Sequence, residues 1–210
     1  YVGDEAFFAS LNEYLKENKF SSVEIHNLRL AFEKITGEDL NWFFNQWFLN
    51  KGHPEIEISY DYNEELKQQK VIIEQKQNLT SAPLYKIPLD IDIYDHGKAR
   101  RARITLLDAK QEFVFNVSST PDLVNVDAEK MLLCINQDNK TMSEFVYQFN
   151  HAPIYMDKYE ALQKAGNSYT ADSEAGKMLE DALLDSNSGI RILAIKNIGP
   201  LARNKKEQIK

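Results

Sequence analysis

The sequence predicts a multi-domain α+β chain in which helices lead into a small antiparallel β-sandwich and further helices follow it. Three observations carry this reading. Five aromatics within seven residues, Trp42-Phe43-Phe44-Asn45-Gln46-Trp47-Phe48, keep helical spacing and stop at Gly52 and Pro54. From Ile56 the apolar period changes to two. After Thr141 it returns to the helical period and holds to the end of the chain. The changes of period divide the chain into 1–53, 54–138 and 139–210.

In the first segment Phe7, Phe8, Leu11 and Leu15 form one apolar stripe of a helix. Ser21 and Glu24 have capping-box spacing before a second stripe of Leu28, Ala31, Phe32 and Ile35, and Gly37 supplies the left-handed residue that ends such a helix. A third helix runs through Leu40, Phe43, Phe44, Trp47 and Phe48. Trp42 and Leu49 lie beside its main stripe, so this helix has more apolar surface than its neighbours can bury. An exposed hydrophobic patch is expected there, and a fully buried Trp42 would contradict that expectation.

In the second segment Ile56, Ile58, Tyr60 and Tyr62 alternate with polar residues, as in a strand with one buried face. Val71 to Gln75 follows. Tyr85, Ile87, Leu89, Ile91 and Ile93 give the cleanest alternation, with Pro88 on the opposite face marking an edge or a bulge. Runs at Arg103 to Leu107, Glu112 to Val117, Leu123 to Val126 and Met131 to Ile135 complete about seven short strands, the pattern of a sandwich. On the polar face Tyr94 stands nearly alone among aromatics, which weighs against a stand-alone glycan- or peptide-binding sandwich.

The third segment opens with Thr141 and Glu144 at capping-box spacing. Tyr155, Tyr159 and Leu162 mark one helix. Ala175, Met178, Leu179, Ala182 and Leu183 mark the next, and Ile190, Leu193, Ala194, Ile198 and Leu201 the last. The stretch Asp185 to Ala194 resembles the start of the second helix of a HEAT-type repeat, in which the Asp caps, the Arg (here Arg191) pairs along the stack and a small Ala lets helices approach. The Lys-rich end, Lys205, Lys206 and Lys210, reads as a frayed helix end.

The net charge of −7 excludes nucleic acid as the main partner, because phosphate binding is driven by clustered Lys and Arg. The one basic cluster, Lys98 to Arg103, reads as a solvated hairpin. No stretch approaches the length of a membrane span. Cys134 is the single cysteine and reads as a small core residue, so cysteine usage leaves the compartment open. The Lys- and Asn-rich, cysteine-poor composition suits a bacterial protein, with the cell envelope or periplasm favoured over the cytoplasm.

Zinc hydrolases need clustered His and acidic ligands, typically two His at i and i+4. His26, His53, His96 and His151 are scattered. Asp90 and Asp92 share a strand face, which reads as a solvated sheet face and not as a cation site. There is no Gly-rich phosphate loop, no Gly-x-Ser-x-Gly elbow and no Cys with a His partner. From the residues alone the chain is a scaffold piece without an active site.

The ordered segments resemble one family, the zinc aminopeptidases of the aminopeptidase N type (gluzincins). The resemblance rests on Val2-Gly3-Asp4-Glu5-Ala6-Phe7-Phe8 leading to Leu11, Tyr14-Leu15 and Phe20, and on Thr36-Gly37-Glu38-Asp39-Leu40. It continues through Trp47, Gly52 and Pro54, Lys86-Ile87-Pro88-Leu89, and Asn125-Val126-Asp127. It implies that 1–53 are the C-terminal helices of a thermolysin-like catalytic domain, 54–138 the β-sandwich domain and 139–210 the first helices of a HEAT-like α-helical domain. The family's His-Glu-x-x-His pair, third zinc ligand and catalytic Tyr have no matching position here, and Tyr1 stands too close to the Gly3-Asp4 stretch to be that Tyr. No catalytic, cofactor-binding or metal-ligating residue is therefore expected in this chain. Zinc and a peptide substrate are expected for the full-length parent, whose catalytic domain would pack on the 1–53 helices. The alternative is a non-catalytic protein-interaction scaffold of the same architecture.

Overall fold

The computed structural model describes residues 1–166 and 172–208, with side chains described as far as residue 198. Helix α1 (Asp4–Glu17) carries the acidic residues Asp4 and Glu5 in its first turn, where the helix dipole favours them. Of its expected stripe, Leu11 packs with Phe32, Leu40 and Phe44 in a small core, whereas Phe8 and Leu15 are 65% and 67% exposed. Helix α2 (Ile25–Thr36) ends at Gly37, whose φ of 71° lets its N–H reach the Glu33 carbonyl.

The start of α2 differs from expectation. The reciprocal box is made by Glu24 and Asn27, not by Ser21 and Glu24. Ser21 Oγ instead donates to the Asn18 carbonyl at 2.8 Å, closing the turn after α1 before the next helix begins.

Helix α3 (Asn41–Phe44) runs directly into a π-helical turn, Asn45–Leu49. The widened turn brings Phe44 and Phe48 into a stack with ring centroids 4.9 Å apart.

Strands β1 (Glu55–Asn63), β2 (Gln68–Gln75), β3 (Ile87–Asp95), β4 (Lys98–Leu106), β5 (Lys110–Asn116), β6 (Leu123–Val126) and β7 (Ile135–Asp138) form two sheets. Their orders are β5-β2-β1-β7 and β4-β3-β6. One core joins them: Ile58, Val71 and Ile73 from the first meet Ile87, Ile91 and Val126 from the second.

The all-antiparallel expectation fails at one pair, since β7 runs parallel to β1 with Glu55 opposite Ile135 and Ile58 opposite Asp138. The chain leaves β6 in one sheet and crosses to the far edge of the other, which it enters in the direction of β1. The strand expected at Met131 to Ile135 also starts later, at Ile135. Its alternation is real: Leu132 and Cys134 pack on the core while Met131 and Leu133 are each 78% exposed. It finds no pairing partner until Ile135 N–H reaches the Pro54 carbonyl at 3.0 Å. Cys134 is accordingly only half-buried.

Pro88 lies where β3 has β4 on one side only, because β6 pairs no further along than Ile91. Lys86 and Asp90, its neighbours of the same orientation, bond away from β4 to Gln46 and Ala128. The missing proline N–H therefore costs no ladder bond.

Helices α4 (Met142–His151), α5 (Tyr155–Gly166), α6 (Ser173–Ala182) and α7 (Ser188–Gln208) complete the fold. Thr141 and Glu144 form the expected capping box on α4. Phe145, Leu162, Leu179 and Ile190 belong to a separate helical core, whereas Leu183 falls just past α6 and is partly exposed. The roles expected of Asp185 and Arg191 are corrected. Asn187 Oδ1 accepts from the Gly189 N–H at the start of α7, while Asp185 pairs with Lys158 at 2.6 Å. Arg191 turns back onto the carbonyls of Asp185 and Ser186 at 2.8 and 3.0 Å. Ala194 is fully buried. Leu201, Lys205, Lys206 and Lys210 lie outside the described side chains.

Candidate functional site

Two regions of the surface of the β unit do more than close a core: the seam with the N-terminal helices, and the joint with α4 and α5.

At the seam the π-helical turn directs Gln46 inward, where it is buried. Its amide lies against the backbone of Lys86, with Nε2 donating to the carbonyl at 3.0 Å and Oε1 accepting from the N–H at 2.8 Å. A side chain thus takes the place of a neighbouring strand. Trp47 packs on Tyr85 with ring centroids 5.4 Å apart, and Lys86 Nζ lies 4.2 Å above the Trp42 ring. Tyr1 meets the same indole edge-on at 5.4 Å and donates to Glu38 at 2.6 Å, a bond that holds the phenol pKa above its ordinary value. Trp42 is half-buried by these contacts, and Leu49 is exposed.

Around the seam the apolar side chains Phe8, Leu15, Phe20, Leu30, Phe48 and Leu49 are exposed, Phe20 almost completely. Most of the expected α1 stripe is therefore surface. These exposed side chains are spread over α1, the turn after it, α2 and the π-helical turn. At the seam a cleft of about 480 Å³ is lined by Tyr1, Trp47, Arg103, Glu129, Met131 and Leu133.

The joint with α4 and α5 is polar and buried. Tyr60 Oη donates to Asp138 Oδ1 at 2.8 Å, and Lys140 Nζ reaches Asp138 Oδ2 at 2.6 Å and Gln148 Oε1 at 3.0 Å. Gln148 Nε2 donates to Glu160 Oε2 at 3.2 Å and to the Asp157 carbonyl at 3.0 Å. Lys130 Nζ lies 3.1 Å from Glu160 Oε2 and 3.3 Å from Asp157 Oδ1, and Asn125 Nδ2 donates to that same Oδ1 at 3.0 Å. The result is a continuous belt from β1 through β7, α4 and α5 to β6. Burial works against the Lys130 charge, but Glu160 and Asp157 outweigh it and hold the ammonium pKa above that of an ordinary lysine. Burial, with Asp138 beside it, raises the Tyr60 phenol well above its ordinary value.

The sequence-expected features are placed as follows. Asp90 and Asp92 do share a face, but Asp92 is buried and not solvated. The Arg101 guanidinium forks onto it at 2.8 and 2.9 Å and also pairs with Glu129. Arg103 stands 3.7 Å from Asp90. The basic hairpin thus neutralises the paired aspartates across β3 and β4. Tyr94 is buried against Tyr147 of α4 at 5.8 Å and does not stand on an open polar face. Among the described residues no three His, Cys, Asp or Glu side chains come together to hold a metal ion. Among them, too, no helix is long and apolar enough to cross a membrane. The Gln46–Lys86 pair and the Lys130–Asp157 belt were not anticipated. The one visible hint was the pair of amides, Asn45 and Gln46, interrupting an aromatic run.

No protein-family model matches the chain. It is similar to a leucyl aminopeptidase of Saccharolobus solfataricus, 28% identical over 185 residues that make up 85% of this chain and 21% of that protein. It is 26% identical over 130 residues to aminopeptidase N of Escherichia coli, covering 55% of this chain and 15% of the relative. A probable aminopeptidase 1 of Sulfurisphaera tokodaii is 25% identical over 131 residues, 62% of this chain and 16% of the relative. The fold resembles the crystal structure of Legionella pneumophila aminopeptidase A in complex with aspartic acid, with a TM-score of 0.73 and 17% identity over 88% of this chain and 23% of that one. The chain thus spans between 15% and 21% of the length of these three relatives, and it is similar in sequence and in fold to aminopeptidases.

Proposed function

We propose that this chain is the non-catalytic C-terminal part of a zinc-dependent aminopeptidase, an enzyme that removes N-terminal residues from peptides, and that it acts by packing. The observation that carries the reading is the number of large apolar side chains left exposed on α1, α2 and the π-helical turn, among them Phe8, Leu15, Phe48 and Leu49. The similarity to aminopeptidases along 85% of the chain supports the enzyme class. In this reading 1–53 are the last helices of a thermolysin-like catalytic domain, 54–138 a supporting β-sandwich and 139–210 the opening of a HEAT-like helical domain. Zinc and the peptide substrate belong to the rest of the protein. The described residues offer no ligand cluster that fits zinc, so no step of its chemistry is assigned to them.

The same exposed apolar side chains equally suit a protein partner, which keeps a non-catalytic scaffold of this architecture as the second reading. A Phe8→Ser, Leu15→Ser double variant of the full-length protein separates the two. Both side chains are exposed here, so the chain itself should keep its stability to within about 0.5 kcal/mol. Hydrolysis of an aminoacyl-anilide by the full-length variant should fall. A full-length protein without aminopeptidase activity selects the scaffold, and an active one unaffected by the double variant contradicts the packing role.

A further inference from the structure

The segment between β6 and β7 touches both regions. On one side Lys130 is sunk into the joint, its Nζ held by Glu160, Asp157, Asn125 Oδ1 at 3.0 Å and the Val126 carbonyl at 3.3 Å. On the other, Met131, Leu132 and Leu133 line the cleft beside Tyr1 and Trp47. The backbone between them is strained, because Asp127 and Lys130 both carry side chains at left-handed φ values of 51° and 52°. Such conformations are unfavourable for residues with a side chain and persist only where their surroundings over-determine them. Here the Asp127 carboxylate accepts from the N–H groups of Met131 at 3.1 Å and Leu132 at 3.0 Å, and the belt holds the Lys130 ammonium.

We propose that Asp127–Leu133 is a strap, held in a strained closed form by the belt at α5 and released when the belt breaks, so that opening of the helical joint reshapes the cleft beside Trp47. The physical link is short. If α5 lifts, Lys130 loses both of its anions, and a nearly buried ammonium without them is driven toward water. Its backbone then relaxes from the left-handed region. The next three residues, which line the cleft, move with it. A merely static ionic joint would open without any change at the cleft.

The chain carries its own reporters. Cys134, its single thiol, directly follows the strap and is half-buried. Burial first, then the charges of Asp127 and Glu160, push its pKa up to about 12, so it labels slowly. Both tryptophans, Trp42 and Trp47, belong to the seam beside the cleft. In Lys130→Met, alkylation of Cys134 under native conditions should accelerate about tenfold or more, and tryptophan emission should shift. Loss of the Lys130 charge by itself would raise the thiol pKa and slow the reaction, so acceleration reports access. Asp185→Asn, which breaks an ion pair of α5 outside the belt, should change neither signal. Should Lys130→Met fail to give a native circular dichroism spectrum, Asp157→Asn gives the same test, because Asn keeps the shape and one acceptor. Labelling and emission equal to wild type in the folded variant overturn the proposal, as does faster labelling with unchanged emission.

Discussion

Gln46 and Lys86, separated by 40 residues, exchange two hydrogen bonds, N–H to Oε1 at 2.8 Å and Nε2 to carbonyl at 3.0 Å. This pair attaches the aromatic π-helical turn to the lead-in of β3. Replacing Gln46 with Leu keeps the bulk and leaves both Lys86 backbone groups without a partner. An unmet buried group costs about 1–3 kcal/mol, so the urea midpoint of Gln46→Leu should fall by a corresponding amount. Gln46→Asn, one methylene shorter, should lose most of the same stability. A wild-type midpoint in both would show that the pair contributes nothing.

Two glycines separate backbone strain from crowding. Gly37 and Gly52 have φ values of 71° and 90°, so an Ala at either site incurs left-handed strain of about 1–2 kcal/mol. A Cβ at Gly37 would meet nothing within 4 Å, whereas at Gly52 it would lie 2.9 Å from the Ala82 Cβ and 3.4 Å from the Tyr85 hydroxyl. Gly52→Ala should therefore be the more destabilising in thermal unfolding, and the reverse order would refute the close approach of Gly52 to Ala82 and Tyr85.

Asp185 supplies a pH test. Burial pushes its carboxyl up, but the bonds from Lys158 and the Asn187 N–H, with the charges of Lys158 and Arg191, outweigh burial and hold the pKa below the ordinary aspartate value. A depressed carboxylate pKa stabilises the fold fully above the unfolded value of about 3.9 and loses that contribution as pH falls through the folded value. The stability gap between wild type and Asp185→Asn should be constant near neutral pH and shrink below about pH 4. A gap that widens on acidification would contradict the assignment.

What could be read from the sequence was what is local or periodic. The buried faces of β1 and β3, with Ile56, Ile58, Ile87, Leu89, Ile91 and Ile93, follow from alternation. The Gly37 stop and the Thr141–Glu144 box follow from short-range chemistry. Errors arose where two patterns competed or where partners were distant. Ser21 and Glu24 have the right spacing for a cap, yet Glu24 and Asn27 form it, because the chain is still turning at Ser21. Met131 to Cys134 alternates like a strand but has no neighbour to pair with. Asn125 and Asp157, or Lys130 and Glu160, carry no local signature, since burial of charge is decided by which elements meet. The α1 stripe was legible as an apolar face, but periodicity does not report what covers it, and Phe8 and Leu15 are exposed.

In the reading proposed above, these residues support an aminopeptidase without performing its chemistry. Metal analysis of purified 1–210 after dialysis, paired with an aminoacyl-anilide assay, should find no stoichiometric zinc and no hydrolysis. One tightly held zinc per chain, accompanied by release of the anilide product, would contradict it.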